Sequence, residues 1–294
     1  MNKVVKFGGS SLASAKQFKK VKDIIMADKS RRYVIPSAPG KRTTNDEKVT
    51  DLLYACYSAA SEGRSYKKIF DAITARYEQI ITGLDLNVNL DFEFKTIEEN
   101  FLAKKGRDYA ASRGEYLNGI IMAAYLGYEF IDAADVICFD ADGSFLSEKT
   151  NQELAARLSK VSKAVIPGFY GSMPDGSVKT FSRGGSDVTG SIVAAAAKVD
   201  LYENWTDVSG CLIADPRIIH NPRPIKAITY RELRELAYMG ASVLHEDAIF
   251  PVRKEGIPIN IKNTNKPEDE GTMIVESTCR QSEYVITGIA GKKG

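Results

Sequence analysis

The sequence predicts an α/β protein: a mostly parallel sheet covered by helices in a three-layer αβα arrangement with two lobes. Three observations carry that expectation. Short Val/Ile-rich runs alternate with longer helical patterns, as in sheets whose strands are buried on both faces. Capping and turn signals fall between them. And 294 residues, 44% of them apolar and 27% charged, suffice for a substantial core.

Taken in order, strands are expected at 4–7, 33–37, 136–139, 165–169, 201–206, 257–261 and 285–289. Between the second and third lie four helical stretches, 48–62, 66–81, 91–104 and 109–126. Gly63, Gly83 with the Asn-rich turn after it, and Gly106 separate them. Thr150-Asn151-Gln152-Glu153 and Thr229-Tyr230-Arg231-Glu232 match the Thr-x-x-Glu capping box, each placing a helix start. After Thr229, the apolar Leu233, Leu236 and Ala237 recur at helical spacing. Met173-Pro174-Asp175-Gly176-Ser177 is a strong turn signal between short extended pieces, so a hairpin is expected there. It sets a soft lobe boundary near residue 180, giving lobes of about 1–180 and 181–294.

Forty basic against thirty-eight acidic residues leave a net charge of +2, so no overall field argues for nucleic acid and no basic block for a membrane surface. The longest apolar runs, such as 192–197, fall far short of the roughly 20 residues a membrane helix needs. The N-terminus lacks the apolar stretch of a signal peptide. A cytoplasmic protein is expected. Cys56, Cys138, Cys211 and Cys279 are widely spaced, which fits buried reduced thiols and neither a zinc cluster nor a disulfide scaffold. His220 and His245 are isolated, so no histidine chemistry is expected.

Four clusters could carry chemistry. In Lys6-Phe7-Gly8-Gly9-Ser10-Ser11 a strand ends and a helix follows; the glycines let backbone N–H groups approach a ligand, and Lys6 with the helix N-terminus adds positive charge. That suits a polyphosphate, although the P-loop pattern is absent and a tight turn is the plainer reading. Ser182-Arg183-Gly184-Gly185-Ser186-Asp187 repeats the idea before another helix. Arg183 can grip a carboxylate or phosphate with two hydrogen bonds, its alternative being a surface ion pair. In Ser112-Arg113-Gly114-Glu115, Glu115 could meet a ligand ammonium or be an exposed first-turn acid. Finally, Trp205-Thr206-Asp207-Val208-Ser209-Gly210 with Ala214-Asp215-Pro216-Arg217 forms a strand end and loops, where open α/β sheets bind ligands. Trp205 can equally be a packed aromatic; Lys262 marks another strand end or a plain surface lysine. Together these point to a site for two anions, a nucleotide polyphosphate beside a carboxylate. A carboxylate nucleophile is ionised at pH 7, so no general base is needed, and screening of charge is the main task.

Lys6–Ser11, Ser37-Ala38-Pro39-Gly40, Lys48-Val49-Thr50-Asp51-Leu52-Leu53, Ser112–Glu115, Phe181–Asp187, Trp205–Gly210 and Asp215–Arg217 closely resemble aspartate kinases of the amino acid kinase superfamily. The resemblance runs over nearly the whole chain, and Ser-Arg-Gly-Glu with Ser-Arg-Gly-Gly-Ser-Asp and Trp-Thr-Asp-Val is its specific part. It implies the amino acid kinase fold, an N-terminal lobe holding L-aspartate and a C-terminal lobe holding ATP. The implied reaction moves the γ-phosphoryl group of ATP to the β-carboxylate, giving 4-phospho-L-aspartate and ADP, the first step toward lysine, threonine and methionine. It further implies that Lys6, Gly8, Gly9 and Ser10 contact the ATP phosphates, Lys6 also the transferring group, and that Asp187 orders the lysines. Thr50, Glu115, Arg183 and Ser186 would bind aspartate, with Ser37 near the reaction centre. Thr206, Asp207, Asp215, Arg217 and Lys262 would line the nucleotide pocket, and Mg²⁺ would be held mainly through ATP rather than by protein ligands. Homodimers are implied, with larger assemblies depending on C-terminal ACT domains, which a chain stopping at Gly294 is expected to lack. Gly240–His245 also matches, although Glu246 stands where the family has proline. Two rivals stay open: another kinase of the superfamily, acting on glutamate, acetylglutamate, carbamate or a nucleoside monophosphate, and an inactive ligand-binding subunit.

Overall fold

Strands β1 (Lys3–Phe7), β2 (Arg31–Pro36) and β7 (Leu201–Thr206) are largely buried on both faces because helices cover both. The structure, a computed structural model, describes residues 1–182, 184–214, 218–238, 244, 246–277 and 287–289. The remaining strands are β3 (Glu129–Phe130), β4 (Ala164–Val165), β5 (Tyr170–Ser172), β6 (Val178–Thr180), β8 (Ala227–Thr229), β9 (Ile259–Asn263) and β10 (Thr272–Val275). Helices are α1 (Ala15–Met26), α2 (Val49–Ser61), α3 (Lys67–Gly83), α4 (Asp91–Leu102), α5 (Arg107–Leu126), α6 (Ala133–Val136), α7 (Ser147–Leu158), α8 (Gly185–Ala196), α9 (Tyr230–Tyr238) and α10 (Glu246–Lys254).

One sheet runs β3-β4-β2-β1-β7-β9-β10-β8, parallel throughout except for the antiparallel β9–β10 pair. Its first four strands come from residues 3–165 and its last four from residues 201–275, so the two parts meet at the β1–β7 seam. Side chains alternate across each strand. Val5, Phe7, Val34 and Trp205 pack under α1–α5, while Val4, Ile35, Tyr202 and Ile261 pack under α7–α10. This is the predicted three-layer architecture, and β5–β6 is the predicted hairpin.

Helix α1 starts at Ser14, whose hydroxyl accepts from Gln17 N–H, and buries Phe18, Val21, Ile24 and Ile25 on one face. Helix α5, the longest, is buried through most of its length and ends on Gly127, left-handed at φ 68°. The capping box at Thr229 forms: Glu232 N–H donates to the threonine hydroxyl and the Glu232 carboxylate accepts from Thr229 N–H.

Several expectations are corrected. Residues 136–139 form no strand, because Asp132 caps the short α6 and the chain then makes only isolated bridges at Cys138 and Phe139. Thr150 lies inside α7, not at its start, and its hydroxyl accepts from Cys138 N–H at 2.9 Å. The strand expected at 165–169 stops at Val165, before Pro167, which has no N–H to give a ladder. The 257–261 strand is displaced to Ile259–Asn263, beginning after Pro258. Of the strand expected at 285–289, residues 285 and 286 lie outside the described residues, and Ile289 N–H donates to the Ile213 carbonyl. Cys56 and Cys211 are buried free thiols, pushed by burial up to about 12 and about 11, and Cys138 is half-buried. Cys279 lies outside the described residues.

Candidate active site

Strands β1, β2, β4 and β7 end at one edge of the sheet, and their loops meet the N-terminus of α8 there, the usual ligand side of an open α/β sheet. Lys6, the penultimate residue of β1, points to the α8 face and is only 8% exposed. Its ammonium meets Asp187 Oδ1, in the first turn of α8, at 2.6 Å. The same oxygen accepts from Asn204 Nδ2 at 2.9 Å, and Asn204 is the register partner of Lys6 on β7. A buried ammonium without such a partner would be costly. Asp187 therefore fixes where Lys6 sits and leaves two of its N–H groups for other acceptors.

The Gly8-Gly9 loop follows at once. Gly8 N–H donates to the Trp205 carbonyl at 3.0 Å, and a Cβ on Gly8 would lie 3.6 Å from the Lys6 ammonium, so that cation lies against the loop. At Gly9 the loop after β2 crosses: Gly40 N–H donates to the Gly9 carbonyl at 2.8 Å, and a Cβ on Gly40 would stand 2.6 Å from the Gly9 carbonyl carbon. Only two residues without side chains permit that approach. The helix expected after the glycines opens as a 3-10 turn over Gly9–Leu12, and α1 begins at Ala15. Ser10 offers its carbonyl to Gln17 Nε2, and the Ser11 hydroxyl pairs with Thr264 at 2.8 Å.

The helix N-terminus that does face the site belongs to α8. Gly184 and Gly185 adopt positive φ (70° and 42°), no side chain caps the first amides, and Ser186 is buried. Gly168, after β4, lies so close that a side chain there would run into Ser186.

Helix α5 supplies the opposite wall. Glu115 is 6% exposed; Ala38 N–H is directed at its carboxylate, yet Oε2 has no hydrogen-bond partner. Burial pushes this carboxyl up to about 8, against the pull of Ala38 N–H and the charges of Arg113 and Lys6. Ser37 is held from both sides, donating its N–H to the Phe7 carbonyl at 3.1 Å and accepting from Asn118 Nδ2 at 2.6 Å. Gly114 allows α5 to pack on Ala38, where a Cβ would come within 2.7 Å, and beside the Thr50 hydroxyl, 3.7 Å from the same point. The neighbouring Arg113 is turned elsewhere, bonded to the Ser112 hydroxyl and lying over the rings of Tyr109, Tyr116 and Tyr170.

The loop after β2 is anchored from behind. Arg76 of α3, buried, donates to the Gly40 carbonyl at 3.1 Å and to both oxygens of Asp46 at 2.7 and 2.8 Å. Arg42 grips Asp46 as well, and the paired guanidinium groups hold that carboxyl well below the usual carboxylate range.

The structure thus brings together Lys6, Gly8, Gly9, Ser37, Thr50, Glu115, Ser186 and Asp187, with Ser10 and Thr206 at the rim. Thr206 ends β7 with its hydroxyl on the exposed Asp207. Lys262 is not brought to them. It is register partner to Trp205, so it occupies the opposite sheet face from Lys6, 5.3 Å from the Trp205 ring and bonded to the Asp269 carbonyl. Trp205 itself is packed, stacked on Phe7 and donating to Glu203. Arg183, Asp215, Arg217, His245 and residues 240–243 lie outside the described residues. Among the described residues no group of three His, Cys, Asp or Glu could hold a metal ion, and no helix is long and apolar enough to cross a membrane.

Sequence reading missed Asn204, Asn118, Gly168 and Arg76. Asn204 carried a signal, a polar side chain inside an expected buried strand; Asn118 lies one helical turn beyond Glu115; nothing local marks Arg76.

A parallel sheet whose strand-end lysine and glycine pair face a helix N-terminus defines a class, and the chain belongs to the amino acid kinase family, whose profile matches residues 1–263. Within that family its similarity is to aspartokinases. It is 40% identical to aspartokinase 3 of Bacillus subtilis, over 99% of this chain and 67% of the relative. The crystal structure of Clostridium acetobutylicum aspartate kinase superposes with a TM-score of 0.92 at 55% identity, over 98% of this chain and 66% of that one. E. coli aspartokinase III, in complex with aspartate and ADP, matches with a TM-score of 0.82 at 26% identity, over 95% of this chain and 65% of that one. The chain therefore spans about two thirds of the length of these relatives.

Proposed function

We propose that this chain transfers the γ-phosphoryl group of MgATP to the β-carboxylate of L-aspartate, as a cytoplasmic enzyme. The observation that carries the reading is Lys6, a buried ammonium fixed by Asp187 and Asn204 beside two glycines at the sheet edge. A carboxylate oxygen attacks the γ-phosphorus, the bond to the β–γ bridging oxygen breaks, and ADP leaves with that electron pair. The carboxylate is already ionised, so no base is required. Lys6, the Gly9 amide and the α8 N-terminus screen the repulsion between two anions. Glu115 takes the α-ammonium; Ser37, Thr50, Ser186 and Arg183 complete the aspartate seat. Thr206, Asp207, Asp215 and Arg217 take the nucleotide, and Mg²⁺ arrives on the triphosphate as part of the substrate. Self-association into a homodimer belongs to the same reading.

The similarity to an aspartokinase crystallised with aspartate and ADP supports this acceptor over others. The test is ADP release with L-aspartate against glutamate, acetylglutamate, carbamate and uridine monophosphate, with hydroxylamine trapping of the acyl phosphate. Aspartate-dependent hydroxamate supports the reading; ADP release with another acceptor, or none at all, overturns it.

A further inference from the structure

Helix α5 presents a second buried acceptor beside Glu115. Asn118 is fully buried, and its amide orientation is fixed: Nδ2 donates to the Ser37 carbonyl at 2.6 Å, an atom that can only accept. Oδ1 is therefore the free end, and it has no hydrogen-bond partner. Glu115 Oε2 is in the same condition. The two residues are one turn apart on one helix face, and both reach the same dipeptide, Asn118 through the Ser37 carbonyl and Glu115 through Ala38 N–H. Buried polar oxygens without partners are rare in folded proteins, and two of them one turn apart on α5 point to a ligand with several N–H groups.

Resting on the functional reading above, we infer that Asn118 is a substrate-binding residue whose side-chain oxygen accepts a hydrogen bond from the substrate ammonium alongside Glu115. An ammonium carries three donors, one more than these acceptors need, and a seat with two acceptors fixes its direction as well as its charge. Asn118 then does two jobs with one amide: its nitrogen holds the Ser37 loop, and its oxygen reads the amino group. The consequence is selectivity for amino dicarboxylates over dicarboxylates that lack the amine.

The experiment compares L-aspartate with succinate, which keeps both carboxylates and has no ammonium, as ligands of the wild type, Asn118→Leu and Asn118→Ser. Succinate is measured as a competitive inhibitor against L-aspartate. Asn118→Leu is expected to weaken L-aspartate about 10-fold or more, while succinate changes less than about 3-fold and the KM for MgATP stays put. Asn118→Ser, small enough to be housed without overpacking, is expected to show the same selective loss should the leucine variant fail to fold. Equal losses for both ligands, or no loss in either variant, overturn the inference, since a residue that merely buttresses Ser37 cannot tell an amine from a methylene. A wild type that does not phosphorylate L-aspartate sinks the functional reading instead; a wild type that does, with variants that do not discriminate, sinks only the role of Asn118.

Discussion

The carboxyl of Glu115 offers a quantitative handle on the proposed aspartate seat. Burial raises it to about 8 in the empty site, so near neutral pH the group is mostly protonated, yet an ammonium is best received by the carboxylate. Binding L-aspartate must then expel a proton. At pH 6.5 only about 3% of an acid with that constant is ionised, so affinity should be roughly 30-fold below its alkaline limit. L-aspartate keeps one charge state over this window, so the whole dependence belongs to the protein. The logarithm of Kd should fall by about one per pH unit from pH 6 toward 8 and level off above. Isothermal titration calorimetry in buffers of different ionisation enthalpy should report close to one proton released per aspartate at pH 6.5. The same proton acts on stability with a definite sign. The folded empty protein holds it between 4.5 and about 8 while the unfolded chain does not, so stability falls as pH rises through that window. The full effect is roughly 5 kcal/mol, and Glu115→Gln should remove it, raising Tm relative to wild type at pH 8.5 while abolishing the pH dependence of aspartate binding. A Kd that is flat between pH 6 and 8, with heats independent of buffer, would refute the assignment of Glu115 as the ammonium acceptor.

Lys6→Ala should lower kcat at least ~100-fold, or about 2.7 kcal/mol of transition-state stabilisation, in a steady-state ADP assay, while circular dichroism shows an intact fold. Arg76→Gln should lower stability in urea titration by about 3 kcal/mol, because it leaves Asp46 and the Gly40 carbonyl short of their buried donor. The same change should raise the KM for aspartate more than that for ATP, since the released loop carries Ser37 and leads to Thr50. Gly40→Ala should cut activity at least ~10-fold, because the new methyl meets the backbone of Gly9 and the two loops cannot keep their crossing.

The layers of this fold were legible because strands buried on both faces read as short Val/Ile runs and helices as long periodic stretches. β7 (Leu201–Thr206) was read to the residue and α2 to within one residue at each end. Elements set by contacts distant in sequence were not legible. β8 and β10 are three and four residues long and exist only as partners of each other and of β9. Thr150 looked like a helix cap because its hydroxyl and the following Glu153 fit the pattern; the hydroxyl is instead used by Cys138 N–H, a contact no local rule supplies. The site divides the same way. Lys6, Gly8, Gly9 and Glu115 sit in short motifs whose chemistry can be named from the residues alone, whereas the part of Asp187 came only from the family resemblance. Lys262 looked equivalent to Lys6 as a strand-end lysine, and only the register with Trp205 places it on the other face. Arg76 acts from a helix 36 residues away from Gly40 in the chain, so its part in shaping the glycine crossing is visible only in three dimensions.

The most direct test of charge screening at Lys6 is a crystal structure with L-aspartate and a non-hydrolysable ATP analogue. The β-carboxylate and the γ-phosphoryl group are expected to share the Lys6 ammonium, with the triphosphate against the Gly8–Gly9 loop and the α8 N-terminus, and Asp187 still bonded to Lys6. A triphosphate bound away from Lys6 and the glycine pair, or an aspartate whose β-carboxylate points away from it, would contradict the account.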